Sequence, residues 1–370
     1  MDEKKLIEAI NKTGFPLEYK VSKILEAHNW SIITSRYYVD DISASEREID
    51  IVAYKSMKID NVIYYTTLII SCKKNQEEYF VFFTKEINKN NPNLQLYPQH
   101  FFTNDEQLKF MCEKININKE FSNDIENNTD LSKIYEQEEQ ILSFQQFDKQ
   151  KFKPQNDKYI YDSIITSIKA CEYEKKSLAL RKNTKVFYYF NLLSIVDAEM
   201  IKMEFDKKEK ISEINEIKYL NRHIIYATDE FYKIHFININ VFDNYLTSYD
   251  ELAKYIMKYY SDLRNRYYKM IYSDNTFLSL YDKEINDAGL YIVNKTINQE
   301  FNVHDIVVNV STINLDDNYM HMAIIFNDYT RFKEEISFLN KNLEVKKEFS
   351  KLLIQYYHYD GELKFEDIPY

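Results

Sequence analysis

The sequence predicts an α+β chain with an α/β core. Its order is helix, three strands, an insertion, helix, strand, and then further α+β material to the C-terminus. Two observations carry this reading. Apolar residues recur three or four apart over 3–12, 16–29 and 157–182, which is the helical period. Runs rich in β-branched and aromatic residues fill 31–39, 47–54, 62–72 and 186–197, which is strand composition at strand length. At 370 residues with 45% hydrophobic side chains, the chain is long enough for two domains.

In order, residues 3–12 form a short amphipathic helix with Leu6, Ile7 and Ile10 on one side. Gly14-Phe15-Pro16 breaks the chain and restarts it, since proline suits the first turn of a helix, where its missing N–H needs no partner. On the helix over 16–29, Leu17, Val21, Ile24, Leu25 and His28 share a face, and Glu18 sits in the first turn, where the helix dipole favours an acid. The polar stretch Lys55–Asn61 reads as the connection of a hairpin between 47–54 and 62–72. A further short strand is expected at 79–83. Residues 86–157 are rich in Asn, Gln, Lys and Glu and hold three of the five prolines. They read as an insertion, loosely ordered or a small helical subdomain, with helices at about 104–118 and 130–147.

A helix at 157–182 carries Ile160, Ile164, Ile168 and Cys171, followed by the strand 186–197. Strands at 216–227 and 231–239 and helices over 241–272 come next. The last hundred residues are expected to hold strands at 289–297, 305–312 and 319–326, then a helix at 329–357. The expected division is a core of 1–200 and an accessory region of 201–370.

Net charge is −11, and acids outnumber bases within residues 1–150 as well. This argues against a protein that coats nucleic acid without specificity, because phosphate binding scales with Lys and Arg contacts. It leaves room for an enzyme with a local basic rim. Cys72, Cys112 and Cys171 are far apart and lack zinc-site spacing. Reduced thiols, a charged N-terminal stretch and no apolar run of membrane-spanning length lead to the expectation of a cytoplasmic protein with no membrane partner. The 33 Tyr and 24 Phe read as a compositional bias; Tyr37-Tyr38 and Tyr64-Tyr65 read as sheet packing. His28 reads as a core histidine, and His223 and His235 sit in strand candidates without a catalytic constellation.

The chemistry-bearing stretch is Arg47-Glu48-Ile49-Asp50-Ile51-Val52-Ala53, followed by Leu68-Ile69-Ile70-Ser71-Cys72-Lys73-Lys74. Charges placed in apolar strands cost several kcal/mol unless they meet a metal, a substrate or each other. Strand alternation puts Glu48 and Asp50 on one face, and Ser71 and Lys73 on one face of the partner strand. If the strands pair as a hairpin, the four converge, and Glu18 approaches from the preceding helix. Metal-assisted phosphodiester hydrolysis needs oxygen ligands, an activated water and a cation for the developing charge. As edge-strand charges, Glu48 and Asp50 would instead discourage aggregation.

Together with Gly14-Phe15-Pro16-Leu17-Glu18 and Tyr38-Val39-Asp40, these segments resemble the PD-(D/E)xK nuclease superfamily, in particular the Mrr-type branch of restriction-endonuclease-like proteins. The resemblance covers 14–83 and 157–197 and implies a restriction-endonuclease-like αβββαβ core. It implies Asp50 as the central metal ligand, Lys73 as the catalytic lysine, Glu18 as the helix acid and the Cys72 backbone carbonyl as a further ligand. Ser71 stands where the family has its second acid, with Glu48 and Glu18 left to compensate. The implied activity is a Mg²⁺- or Mn²⁺-dependent DNA endonuclease in restriction or defence, with RNA as the other substrate class. A homo-oligomer or protein partner would engage the remaining chain. The alternative is a degenerate nuclease domain that binds nucleic acid or a protein without cutting.

Overall fold

The computed structural model describes residues 2–40, 44–181, 183–205, 210–225, 227–303, 307–316 and 319–367. Lys182, Tyr226 and residues 305–306, at the ends of three elements expected from sequence, lie outside this set. The chain divides into two compact units, Met1–Ser261 and Asp262–Tyr370. The boundary therefore falls not at 200/201 but sixty residues later. The strands between residues 210 and 238 pair with the main sheet and belong to the first unit.

The first unit opens with helices α1 (Glu3–Asn11) and α2 (Phe15–Ala27) and strands β1 (Ser31–Val39), β2 (Glu46–Ile59) and β3 (Val62–Glu86). The inserted segment gives β4 (His100–Thr103), α3 (Glu106–Lys114), α4 (Ile117–Glu126), α5 (Thr129–Tyr135) and β5 (Glu139–Asp148). Then come α6 (Lys158–Arg181), β6 (Val186–Glu204), β7 (Lys210–Ile214), β8 (Glu216–Ile225), β9 (Thr228–Asn238) and α7 (Phe242–Met270), the last of which contains the unit boundary.

These strands form one mixed sheet of nine, ordered β1-β2-β3-β6-β9-β8, with β5 added to β3 and both β4 and β7 added to β6. β1, β2 and β3 are an antiparallel meander in which Ile33 faces Val52 and Val52 faces Ile69. The turn into β3 is tight, and Asp60 adopts a left-handed φ of 53°, which a short polar side chain tolerates. The chain then crosses through α6 so that β6 runs parallel to β3, and β9 runs parallel to β6. A parallel pair needs such a crossover, commonly a helix. α6 buries Ile160, Ile164, Ile168 and Cys171 in a core with Ile69, Phe80, Phe82, Leu192, Val196 and Phe236. Each such side chain contributes about 1.5–3 kcal/mol on full burial.

Two expectations change and a third narrows. The strand candidates 62–72 and 79–83 are one long strand, β3, whose register with β6 shifts between Lys74 and Tyr79. Of the two readings of the insertion, the structure has the helical one in 106–135 and not the loose one: Asp105, Asn116 and Asn128 cap three helices there. The insertion's last part, read as helix, is strand β5, drawn into the sheet by the second half of β3.

The second unit holds a 3₁₀ turn (Asn275–Tyr281), α8 (Asp282–Phe301), β10 (Val307–Leu315), β11 (Tyr319–Phe326), α9 (Phe332–Lys341), α10 (Leu343–Tyr357) and β12 (Glu362–Asp367). Its sheet is β10-β11-β12, with β12 parallel to β11. Residues 289–297, expected as a strand, lie inside α8, because Ile285, Gly289, Val293 and Ile297 form a buried stripe four residues apart. The molecule is thus mixed α+β. Among the described residues no helix is long and apolar enough to cross a membrane.

Candidate active site

Glu18 stands in the first turn of α2. Its side chain folds back over the helix start, with Oε1 3.4 Å from where a Cβ on Gly14 would lie. Burial raises its carboxyl above the ordinary range, Asp50 and Glu48 raise it further, and Lys73 opposes them. Glu18, Glu48, Asp50 and Lys73 therefore share one electrostatic neighbourhood, as the hairpin reading expects.

Asp50 holds the centre. The β2–β3 ladder is in register as far as Ile51 and Ile70. One residue further, the Asp50 side chain reaches across the strands. Its Oδ2 accepts the Cys72 backbone N–H at 2.6 Å, lies 3.4 Å from the Ser71 hydroxyl and 3.9 Å from Lys73 Nζ. Ser71 is buried, and the side chains of Asp50 and Lys73 are mostly so. All three contacts use Oδ2. The N–H and C=O of one strand residue point to the same neighbouring strand. The Cys72 carbonyl therefore lies on the Asp50 side. The Cys72 thiol itself is pushed well up by burial, with Asp50 and Glu18 adding to it and Lys73 opposing.

Lys74 takes the other direction. Its Nζ pairs with Asp197 on β6 at 3.2 Å, and Gln76 Nε2 donates to the same carboxylate at 3.2 Å. The two neighbouring lysines have separate partners on separate strands.

The acids do not close into a tight ligand set. Among the described residues, one group of His, Cys, Asp or Glu brings three ligand atoms within 4.8 Å of one another, and it is His100, Glu172 and Glu230 rather than Glu18, Glu48 and Asp50. These three residues come from β4, α6 and β9, and no spacing in the sequence signals them. Other histidines also depart from expectation. His28 is not a core residue: its Nδ1 lies 2.8 Å from Asp250 and its Nε2 3.1 Å from Asp243. His235 has partners after all, in Glu216 at 2.8 Å and the Tyr249 hydroxyl at 3.0 Å, and burial lowers it to about 4. The tyrosine pairs divide. Tyr38 and Tyr64 are buried and Tyr65 stacks on Tyr188, whereas Tyr37 is exposed.

No family model matches the chain, and neither a curated protein nor a solved structure matches it.

Proposed function

We propose that this chain is a Mg²⁺- or Mn²⁺-dependent DNA endonuclease on a restriction-endonuclease-like core, acting in restriction or defence against foreign DNA. The observation that carries the reading is the Asp50 carboxylate. It is anchored on the Cys72 N–H and set beside Lys73, and after burial it is the first cause, with Glu48 next, of the raised Glu18 carboxyl. The strand order supports it. An antiparallel β1-β2-β3 meander preceded by α2, a crossover through α6 and a β6 parallel to β3 follow the αβββαβ order. The biological role rests on the resemblance alone.

Asp50, Glu18 and the Cys72 carbonyl are oxygen donors, the class a hard divalent cation takes. Bound there, such a cation would activate a water and stabilise charge on the phosphate. Lys73 brings a fixed positive charge to the same place for the developing oxyanion.

Ser71 favours a second reading, a degenerate nuclease domain that binds without cutting. It places a neutral, buried hydroxyl where a second carboxylate would complete the ligand set. One experiment addresses both. Supercoiled, linear and single-stranded DNA are incubated with Mg²⁺ or Mn²⁺ and wild type, Asp50→Ala or Ser71→Glu, with cation binding followed by calorimetry. Cleavage by wild type that Asp50→Ala loses supports the enzyme. Cation binding and cleavage gained only in Ser71→Glu support the degenerate domain. No cation binding by any form removes the enzyme, and no DNA binding by wild type removes the nucleic-acid-binding form of the degenerate domain.

A further inference from the structure

The group formed by β4, α6 and β9, with His100 and Glu172 buried and Glu230 half-buried, shares no residue with the Asp50 cluster. We propose that His100, Glu172 and Glu230 bind a divalent cation of the zinc type through one imidazole nitrogen and two carboxylate oxygens.

Geometry comes first. His100 Nδ1 is 3.6 Å from Glu230 Oε2, beyond hydrogen-bond length. Two ligands each about 2.1 Å from a tetrahedral cation are about 3.4 Å apart, so the separation suits a shared ion better than a direct bond. The Glu172 ligand atom lies within 4.8 Å of both.

The second observation is an unsatisfied imidazole. His100 is 5% exposed, and neither ring nitrogen has a hydrogen-bond partner. Buried polar atoms are nearly always satisfied, and an orphaned one calls for an ion, a water or a function. The ring is also held still, because Tyr232 stacks on it at 4.5 Å and 8°.

Lys175 is the native competitor. Its Nζ is 2.6 Å from Glu172 Oε1 and 3.5 Å from Glu230 Oε2. One ammonium against two carboxylates leaves a net negative charge, and it does nothing for the imidazole. The group also has access to the outside. A cavity of about 300 Å³ is lined by His100, Lys175, Glu230, Gln99, Phe101 and Phe231, which leaves room for an exogenous ligand on the ion. Imidazole with carboxylate is a donor set that zinc accepts.

The test uses the full chain after chelator treatment. Zn²⁺ is titrated against a chromophoric chelator, and Co²⁺ is used to report ligand-field absorption. Wild type and Asp50→Ala should each bind one Zn²⁺ equivalent at this site. His100→Ala and the isosteric Glu172→Gln should each lose at least about tenfold in affinity. Lys175→Met should bind more tightly, since the competing ammonium is gone. Circular dichroism confirms folding, and Glu172→Gln carries the test if His100→Ala fails to fold. Zn²⁺ binding that is absent from wild type, unchanged in Glu172→Gln, lost in Asp50→Ala or no tighter in Lys175→Met overturns the proposal. Because Asp50→Ala is one of the arms, failure here is distinct from failure of the nuclease reading.

Discussion

Replacing Asp50 by Ala and by Asn, in chelator and without DNA, asks whether its charge serves the fold. The Cys72 N–H is buried and donates to Asp50 at 2.6 Å. Asp50→Ala leaves that donor without an acceptor, at a cost of about 1–3 kcal/mol. Loss of the 3.9 Å pairing with Lys73 subtracts about 0.2–1 kcal/mol more, a contribution of the size of a partly exposed ion pair. Relief of the repulsion between Asp50 and Glu18 acts in the opposite direction. The expected net loss is about 2 kcal/mol, or roughly 4–8 °C in the melting midpoint. Asp50→Asn keeps an amide oxygen for the Cys72 N–H and drops the charge, so it should fall within about 1 kcal/mol of wild type. Scanning calorimetry of the full chain reads the difference. If Asn costs as much as Ala, the charge itself holds the fold together, and Asp50 is a structural ion rather than a carboxylate kept for a ligand.

Other outcomes follow from the same geometry. Lys73→Ala should lower any DNA cleavage by about 10²-fold or more, whereas Lys74→Ala, which loses only the Asp197 pairing, should keep most of the rate; equal losses would point to a general basic patch. His28 has a raised pKa, chiefly from its hydrogen bond to Asp250 with Asp243 adding to it. The stability it contributes is therefore fully present below its unfolded value of 6.5 and is lost as pH rises through the folded one. Urea midpoints between pH 6 and 8 should fall in wild type and flatten in His28→Gln, and an identical slope in both would refute the assignment. In the second unit, a Cβ on Gly289 would lie 2.9 Å from Val310 Cγ1 and 3.3 Å from Phe349 Cζ. Overpacking of about 1–3 kcal/mol then outweighs the roughly 1 kcal/mol gained in helix propensity. Gly289→Ala should lower the melting temperature, and a rise would show that Val310 yields.

What could be read from the sequence follows the range of each signal. Asp50 and Lys73 were legible because alternation along a strand is local, and the structure pairs them, while Glu18 and Glu48 touch the cluster only through their charge. Strand β5 was misread because Glu and Gln dominate 136–146. Its conformation comes from the edge that β3 offers, which lies in another part of the chain. The segment 289–297 looked like a strand by composition, but its burial has helical spacing, and the packed stripe overrode β-propensity. His100, Glu172 and Glu230 meet only through three separate pairings and contacts of the sheet, so no window of sequence contains them.

The parallel joining of β3 to β6 bears on the order in which the molecule assembles. Ile63 finds Val186 and Thr84 finds Glu204, partners more than a hundred residues apart along the chain. The β2–β3 hairpin closes across two residues. Closing a long loop loses more entropy than closing a short one, and nonlocal pairing is correspondingly slow. Asp50, Ser71 and Lys73 belong to the fast, local event, so their mutual placement does not wait for the rest of the sheet. The His100 group depends on the slow one. Its members converge only once β6 has docked and carried β4 and β9 into position.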